Sequence, residues 1–157
     1  MISEIVKQEY DKVLIDSFLE EMEIYQSNHY GSYNRLRLVR AYKALPDQFK
    51  KEIYPTKVSD LARGADGLSY KPAMSFTTSK FASFYGVYTI PFHEIESYTG
   101  LIDTSRLVKY IQKNKISADI GDDESEVVVI EPVWKKGLEK RMKSYRNDGH
   151  ETDLLYK

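Results

Sequence analysis

Between Asp122 and Glu126 the chain carries four carboxylates in five positions, directly ahead of Val127, Val128, Val129 and Ile130. Residues two apart on a strand project to one face, so Glu124 and Glu126 are expected side by side where that strand joins a sheet. This places carboxylates at the rim of a core; the same residues also suit an acidic turn before a strand. A second group, Ser75 to Ser79, packs hydroxyls around Phe76 at an expected strand-to-helix junction. Hydroxyls there can cap the next helix or position a neighbouring carboxylate, and helix N-termini attract phosphate. Third, Arg63 closes an expected strand and Gly64 permits an abrupt turn after it. An arginine fork fits a diphosphate bidentately, although an arginine before a surface loop needs no ligand to explain it.

Lys135, Lys136, Lys140, Arg141, Lys143 and Arg146 stand against the single acid Glu139 in their stretch. They read as a solvated helix or tail, or as a strip that binds phosphates. With 23 basic and 24 acidic residues the formal charge is −1, so global electrostatics do not announce a nucleic-acid partner. No cysteine is present, which excludes disulfides and thiolate chemistry, and three separated histidines do not suggest a structural zinc site. A segment beginning Met1, Ile2, Ser3, Glu4 lacks the basic-then-apolar order of a secretion signal, and a cytoplasmic monomer is expected. The thirteen tyrosines suit both half-buried packing and ligand contacts and so discriminate neither.

These residues need elements to position them. At 157 residues one domain is expected, with a helical region over 1–53, a core over 54–134 and a basic C-terminal helix or tail over 135–157. Val6, Tyr10, Leu14, Phe18, Met22 and Tyr25 recur at helical spacing and predict one amphipathic helix over about 3–26. Leu38, Tyr42 and Leu45 predict a second, stopped by Pro46, with a short helical turn over 49–53. Strands are expected over 56–61, around 74–77, over 87–90 and over 126–130. Helices are expected over 79–84 and 104–113, the latter capped by Asp103 or Thr104. Helices followed by strands indicate an α+β fold.

Taken in order, Arg63-Gly64, Phe76-Thr77-Thr78-Ser79 and Glu124-Ser125-Glu126 resemble the motifs of the arginine, serine, glutamate class of mono-ADP-ribosyltransferases. That family carries an arginine on its first core strand, an aromatic-led Ser-Thr-Ser on the second, and a Glu-x-Glu pair opening a later strand. Thr89 to Pro91 through Leu101 to Asp103 also looks like the family's middle strand and following turn, and the likeness covers about 54–134. In compactness the chain is similar to the small transferases of bacteriophages, whose site of action would be the host cytoplasm. The resemblance implies helices followed by a mixed, mainly antiparallel β core. It departs from the family in carrying Thr at the usual first Ser, with either Thr77 or Thr78 in register to hold the glutamate. Arg63 to Thr77 is a short step, which leaves Arg35, Arg37 and Arg40 as fallbacks for the diphosphate.

The implied reaction is transfer of ADP-ribose from NAD, without metal, to a macromolecule, an arginine on a protein first and a nucleic acid through the basic strip second. Cleaving the nicotinamide bond develops positive charge on the ribose, which a fixed carboxylate stabilises. The resemblance gives that role to Glu126 and service of the acceptor to Glu124. Arg63 would hold the diphosphate, Phe76 or Phe81 would stack on nicotinamide, and Thr77 to Ser79 would orient Glu126. Two other classes compete: a protein-interaction module on a degenerate transferase fold, and a small nucleic-acid binder using Lys135 to Arg146 with stacking tyrosines. His150-Glu151-Thr152 has the His-x-Thr form of a two-histidine phosphoesterase, but neither His29 nor His93 supplies the second motif.

Overall fold

The structure is a computed structural model that describes residues 3–28, 31–56, 61–63, 70–78, 88–90, 92, 95–122 and 125–133; of 61–63 and 88–90 only the backbone is described. The helices expected over 79–84 and in the basic C-terminal stretch lie outside these residues.

Ser3 opens helix α1 (Glu4–Ser27) by accepting the Val6 N–H on its hydroxyl at 3.2 Å. Phe18, Leu19, Met22 and Tyr25 are buried, whereas Val6 and Tyr10 are 52% and 61% exposed. The expected apolar stripe is thus covered only over its second half. A 24-residue helix is about 36 Å long, and its first turns carry no buried residue. Helix α2 (Ser32–Lys43) starts well before the expected Leu38 and packs against α1 through Leu38, Val39 and Tyr42. Helix α3 (Asp47–Glu52) is the short turn expected after Pro46. Phe18 meets the rings of Tyr42 and Phe49 edge-on at 6.3 and 6.0 Å, an arrangement that ring quadrupoles favour.

Among the described residues five strands follow: β1 (Leu61–Arg63), β2 (Ala73–Thr77), β3 (Tyr88–Ile90), β4 (Glu96–Asp103) and β5 (Glu126–Val133). They form one sheet in the order β3-β1-β2-β5-β4, and every described pairing is antiparallel. The fold is therefore α+β, with N-terminal helices followed by an antiparallel sheet. The first strand is Leu61–Arg63 rather than 56–61; Thr56 is in no strand and 57–60 are not described. Helix α4 (Thr104–Lys113) lies between β4 and β5 in sequence, as expected, and Asp103 caps it by accepting the Ser105 N–H at 3.0 Å. Among the described residues no helix is long and apolar enough to cross a membrane.

Strand β5 is paired on both sides, and alternation gives each of its faces a job. Val128 and Ile130, with Ala73 and Ile102 on the neighbouring strands, join the helices in the main core. Val127 and Val129, with Met74, Phe76 and Leu101, are also buried but lie outside that cluster, on the opposite face.

Strand β4 had no alternating signature because a bulge interrupts it. Ser97 pairs with Pro132 and Gly100 with Ile130, so Tyr98 and Thr99 stand opposite the single residue Glu131, whose φ is +52°. The Thr99 hydroxyl above all holds the Glu131 carboxyl below its usual range, against the opposing effect of burial, and the Lys43 ammonium 3.1 Å away adds to the lowering. Gly100 sits at φ +154°, and a Cβ there would come within 2.0 Å of the Tyr42 hydroxyl. Burial pushes that phenol up to about 12.

Gly100→Ala must therefore move a buried tyrosine and strain the backbone, at a cost of about 2–4 kcal/mol. Thermal melting should show a drop of several degrees, partly restored by adding Tyr42→Phe, and an unchanged melting temperature would contradict the close approach. Stabilisation through Glu131, whose folded pKa is lowered, is present above its unfolded value of about 4.3 and is lost as pH falls through the folded one. The melting difference between the parent and Glu131→Gln should be steady from pH 6 to 8 and shrink toward pH 3; a constant difference would remove the carboxylate from the account.

Candidate functional site

Glu126 heads β5 on the face turned to the helices and is 6% exposed. Buried carboxylates need partners, and two different layers supply them here. Ser75 on β2 donates its hydroxyl to Oε2, and Gln26 in the last turn of α1 donates Nε2 to Oε1 at 3.1 Å. The Gln26 amide is itself fixed, because Nε2 also donates to the Gly121 carbonyl at 2.8 Å and Oε1 accepts the Gly121 N–H at 3.0 Å. Behind the strand, the buried Thr104 hydroxyl donates to the Glu126 carbonyl at 2.8 Å. The carboxylate is thus held from sheet and helix together, and its backbone is held by α4.

The turn before Glu126 is tied down as well. Ser125 adopts φ +50°, its N–H donates to the Asp122 carbonyl at 2.8 Å, and its carbonyl accepts the Thr78 N–H at 3.2 Å. The Ser105 hydroxyl donates to Asp122 Oδ2 at 3.0 Å. Beside this turn lies a cleft of about 220 Å³ lined in part by Thr78, Phe92, Arg106, Ser125 and Val127. Its lining takes in the two neighbours of Glu126 and not Glu126 itself, as alternation along the strand requires.

The expected motifs come together at one end of the sheet, although not in one row. Thr77 pairs with Glu126 on one side and Ala62 on the other, so the strands that carry all three motifs are adjacent. Ala62 is the β1 residue in that row; Arg63 is one position further along and pairs with Tyr88. Phe76 pairs with Val127 and is buried on the face opposite Glu126. Thr77 is half-buried, and Thr78 is exposed with its hydroxyl 3.4 Å from the Ser125 carbonyl. Gly64, Ser79, Phe81, Glu124 and the six cations from Lys135 to Arg146 lie outside the described residues. Of the fallback arginines, Arg37 is bound to Glu21 at 2.6 Å, which raises its pKa, Arg35 is buried on α2, and Arg40 is exposed. Among the described residues no group of three or more His, Asp or Glu is arranged to hold a metal ion.

Ser75, from the hydroxyl group expected to position a carboxylate, brings a hydroxyl to Glu126, a role the resemblance gave to Thr77 to Ser79; 75 and 77 share a strand face. Two further residues at the site had not been singled out for it. Gln26 lies 100 positions from its partner and Thr104 lies 22, and nothing local marks either.

Chemically, the arrangement is a carboxylate of fixed orientation in a largely dry setting. Such a group can stabilise a positive charge that develops beside it without reorganising to do so. Gln26 is the link that joins this carboxylate to the helical layer. Gln26→Ala should cost about 1–2 kcal/mol through its lost hydrogen bonds, read as a fall in melting temperature. Gln26→Glu should be worse at pH 7, where two carboxylates face each other, and should recover on acidification; a variant as stable as the parent at pH 7 would show that the link is idle.

Comparison of the chain with protein-family models, with curated proteins and with solved structures found no match.

Proposed function

We propose that the chain is an NAD-dependent mono-ADP-ribosyltransferase built on an ADP-ribosyltransferase-type core. The observation that carries this reading is the Ser75 hydroxyl on Glu126 Oε2, made between two strands that each bear one of the resembling motifs. The strand bearing the third motif is paired directly to the second. Support thus comes from strand adjacency and from a hydroxyl-held carboxylate, both of which the proposed chemistry uses.

In the proposed reaction the bond between ribose C1′ and the nicotinamide nitrogen breaks, and its electron pair leaves with nicotinamide. Glu126 stabilises the cationic ribose, and Ser75 and Gln26 keep its carboxylate aimed. A nucleophile of the acceptor then bonds to C1′ and gives its proton to Glu124. The acceptor proposed first is an arginine side chain of a protein, and a nucleic acid stands second. Arg63 remains the proposed diphosphate ligand. Its position one step out of the Thr77–Glu126 row is consistent with a contact to a different part of the dinucleotide from the one Glu126 serves. No metal enters the proposal.

The 6% exposure of Glu126 favours a second reading, in which the carboxylate only ties α1 to the sheet and the chain is a non-enzymatic interaction module. Glu126→Gln separates the two. The Ser75 hydroxyl can rotate to accept from the new amide while the amide oxygen still accepts from Gln26, so the melting temperature should hold. Nicotinamide release from labelled NAD should fall roughly 100- to 1000-fold, the worth of one such electrostatic contact. Glu124→Gln should lose transfer to arginine yet keep some NAD hydrolysis, because water can still trap the cation. Incubation with labelled NAD and a cell lysate, reading labelled protein, labelled nucleic acid and free nicotinamide together, scores each variant. Turnover by Glu126→Gln within threefold of the parent, or no turnover by the parent, would leave the second reading standing.

A further inference from the structure

Helix α4 carries three cations on one exposed side. Arg106, Lys109 and Lys113 follow each other at steps of three and four, so they share a helix face and span about 10 Å along the axis. All three line a groove of about 410 Å³ beside the end of α3, and Arg106 and Lys109 also line the 220 Å³ cleft next to Ser125. The two hollows therefore share the Arg106 and Lys109 side chains as a common wall along α4.

Among the described residues no carboxylate lies within 4.0 Å of any of these cations. Two acids border the hollows without pairing: Asp103 is engaged as the α4 cap, and Glu52 stands on the α3 wall. The Arg106 guanidinium is held in place by the Tyr54 and Lys51 carbonyls at 2.5 and 3.2 Å, contacts that fix its position without cancelling its charge. A row of three cations this long, the first held in place and none paired with a carboxylate among the described residues, is matched by a chain of phosphates better than by a single one.

Aromatic rings are set among the cations. Phe92 lines the first hollow and Tyr110 the second; both are half-buried, and Tyr110 is braced edge-on by Phe49 with ring centres 4.8 Å apart. Cations that track a backbone, with rings that offer a face to unpaired bases, make up the recognition mode of single strands. Duplex bases are covered by their neighbours and cannot use such rings, and an acidic peptide has no flat groups to place on them.

We propose that the groove along α4 is a docking surface for single-stranded nucleic acid, with its phosphates along Arg106, Lys109 and Lys113 and bases against Phe92 and Tyr110. None of these residues belongs to the strip Lys135 to Arg146, and the proposal does not rest on NAD chemistry.

Fluorescence anisotropy with a fluorescein-labelled twelve-nucleotide oligothymidylate, titrated across salt concentrations, tests it. Lys109→Gln combined with Lys113→Gln should weaken binding by roughly tenfold at 0.1 M salt and flatten the slope of log K against log salt by about 1.4, near 0.7 per lost phosphate contact. Lys7→Gln with Lys12→Gln changes the net charge equally on the exposed first half of α1 and should leave binding within twofold. Phe92→Ala should weaken binding with no change of slope. Glu126→Gln should bind as the parent does, so loss of NAD turnover and loss of strand binding are read apart. No binding by the parent, or equal weakening by the two lysine pairs, would overturn the proposal. Competitive displacement by millimolar ADP would assign the groove to a single nucleotide instead, and equal displacement by oligoglutamate would reduce it to unspecific charge; either result also overturns it.

Discussion

The head of β5 is where the two layers of the protein are fastened together. A buried carboxylate must be met by donors, and Glu126 is met from both sides, by Ser75 of the sheet and Gln26 of α1. Gln26 can serve only because its amide is closed on the Gly121 peptide, which in turn holds the segment leading into the strand. Asp119 repeats the same stitch one turn earlier along α1, its N–H donating to Glu23 at 2.9 Å. The last turn of α1 thus acts as a splint for the approach to β5. Lateral pairing of β5 on both sides then sets the positions of β2 and β4.

The other end of the sheet shows how packing overrides local preference. The bulge in β4 lets Glu131 reach Thr99 and Lys43, which ties the sheet edge to α2. The same bend brings the Gly100 backbone against the Tyr42 hydroxyl, so the buried tyrosine of α2 is seated on a point of bare backbone. Tyr42, Phe18 and Phe49 form a chain of edge-on rings that continues through Phe49 to Tyr110 on α4. One aromatic line therefore connects the four described helices, and its last ring, Tyr110, lines the groove that carries the α4 cations.

The functional proposals rest on two different physical principles. At Glu126 the protein holds one charge in a fixed direction inside a dry boundary, where electrostatic effects are strong and geometry decides them. Along α4 it displays several charges in water, where each is screened and the number and spacing count. The two regions meet at the turn Asp122 to Ser125, whose described residues bond both to Thr78 on the sheet side and to Ser105 on α4. A strand docked on α4 would therefore lie beside the carboxylate-bearing turn.

Read alone, the amino-acid order was sufficient for the described helices, apart from where α2 begins, and for the most apolar strand. Helix spacing, the Pro46 stop and the Asp103 cap are local devices, and the run from Val127 to Ile130 has no stable place outside a sheet interior. It also marked the three motif segments that β1, β2 and β5 bring together. Strand β4 could not be read, because the bulge at Ser97 to Gly100 breaks its alternation and its polar residues face an edge. The exposure of Val6 and Tyr10 was hidden for a related reason: periodicity states which side of a helix is apolar, not how far its cover extends. Only the tertiary structure chose Ser75 as the hydroxyl on Glu126, set Ala62 rather than Arg63 in line with Thr77, and turned Phe76 to the opposite face. Those choices depend on the register between strands distant in sequence, and a slip of one residue exchanges the faces. Gln26 was the least accessible of all. Its role arises from a hydrogen bond across 100 positions, which no pattern within the helix that carries it could encode.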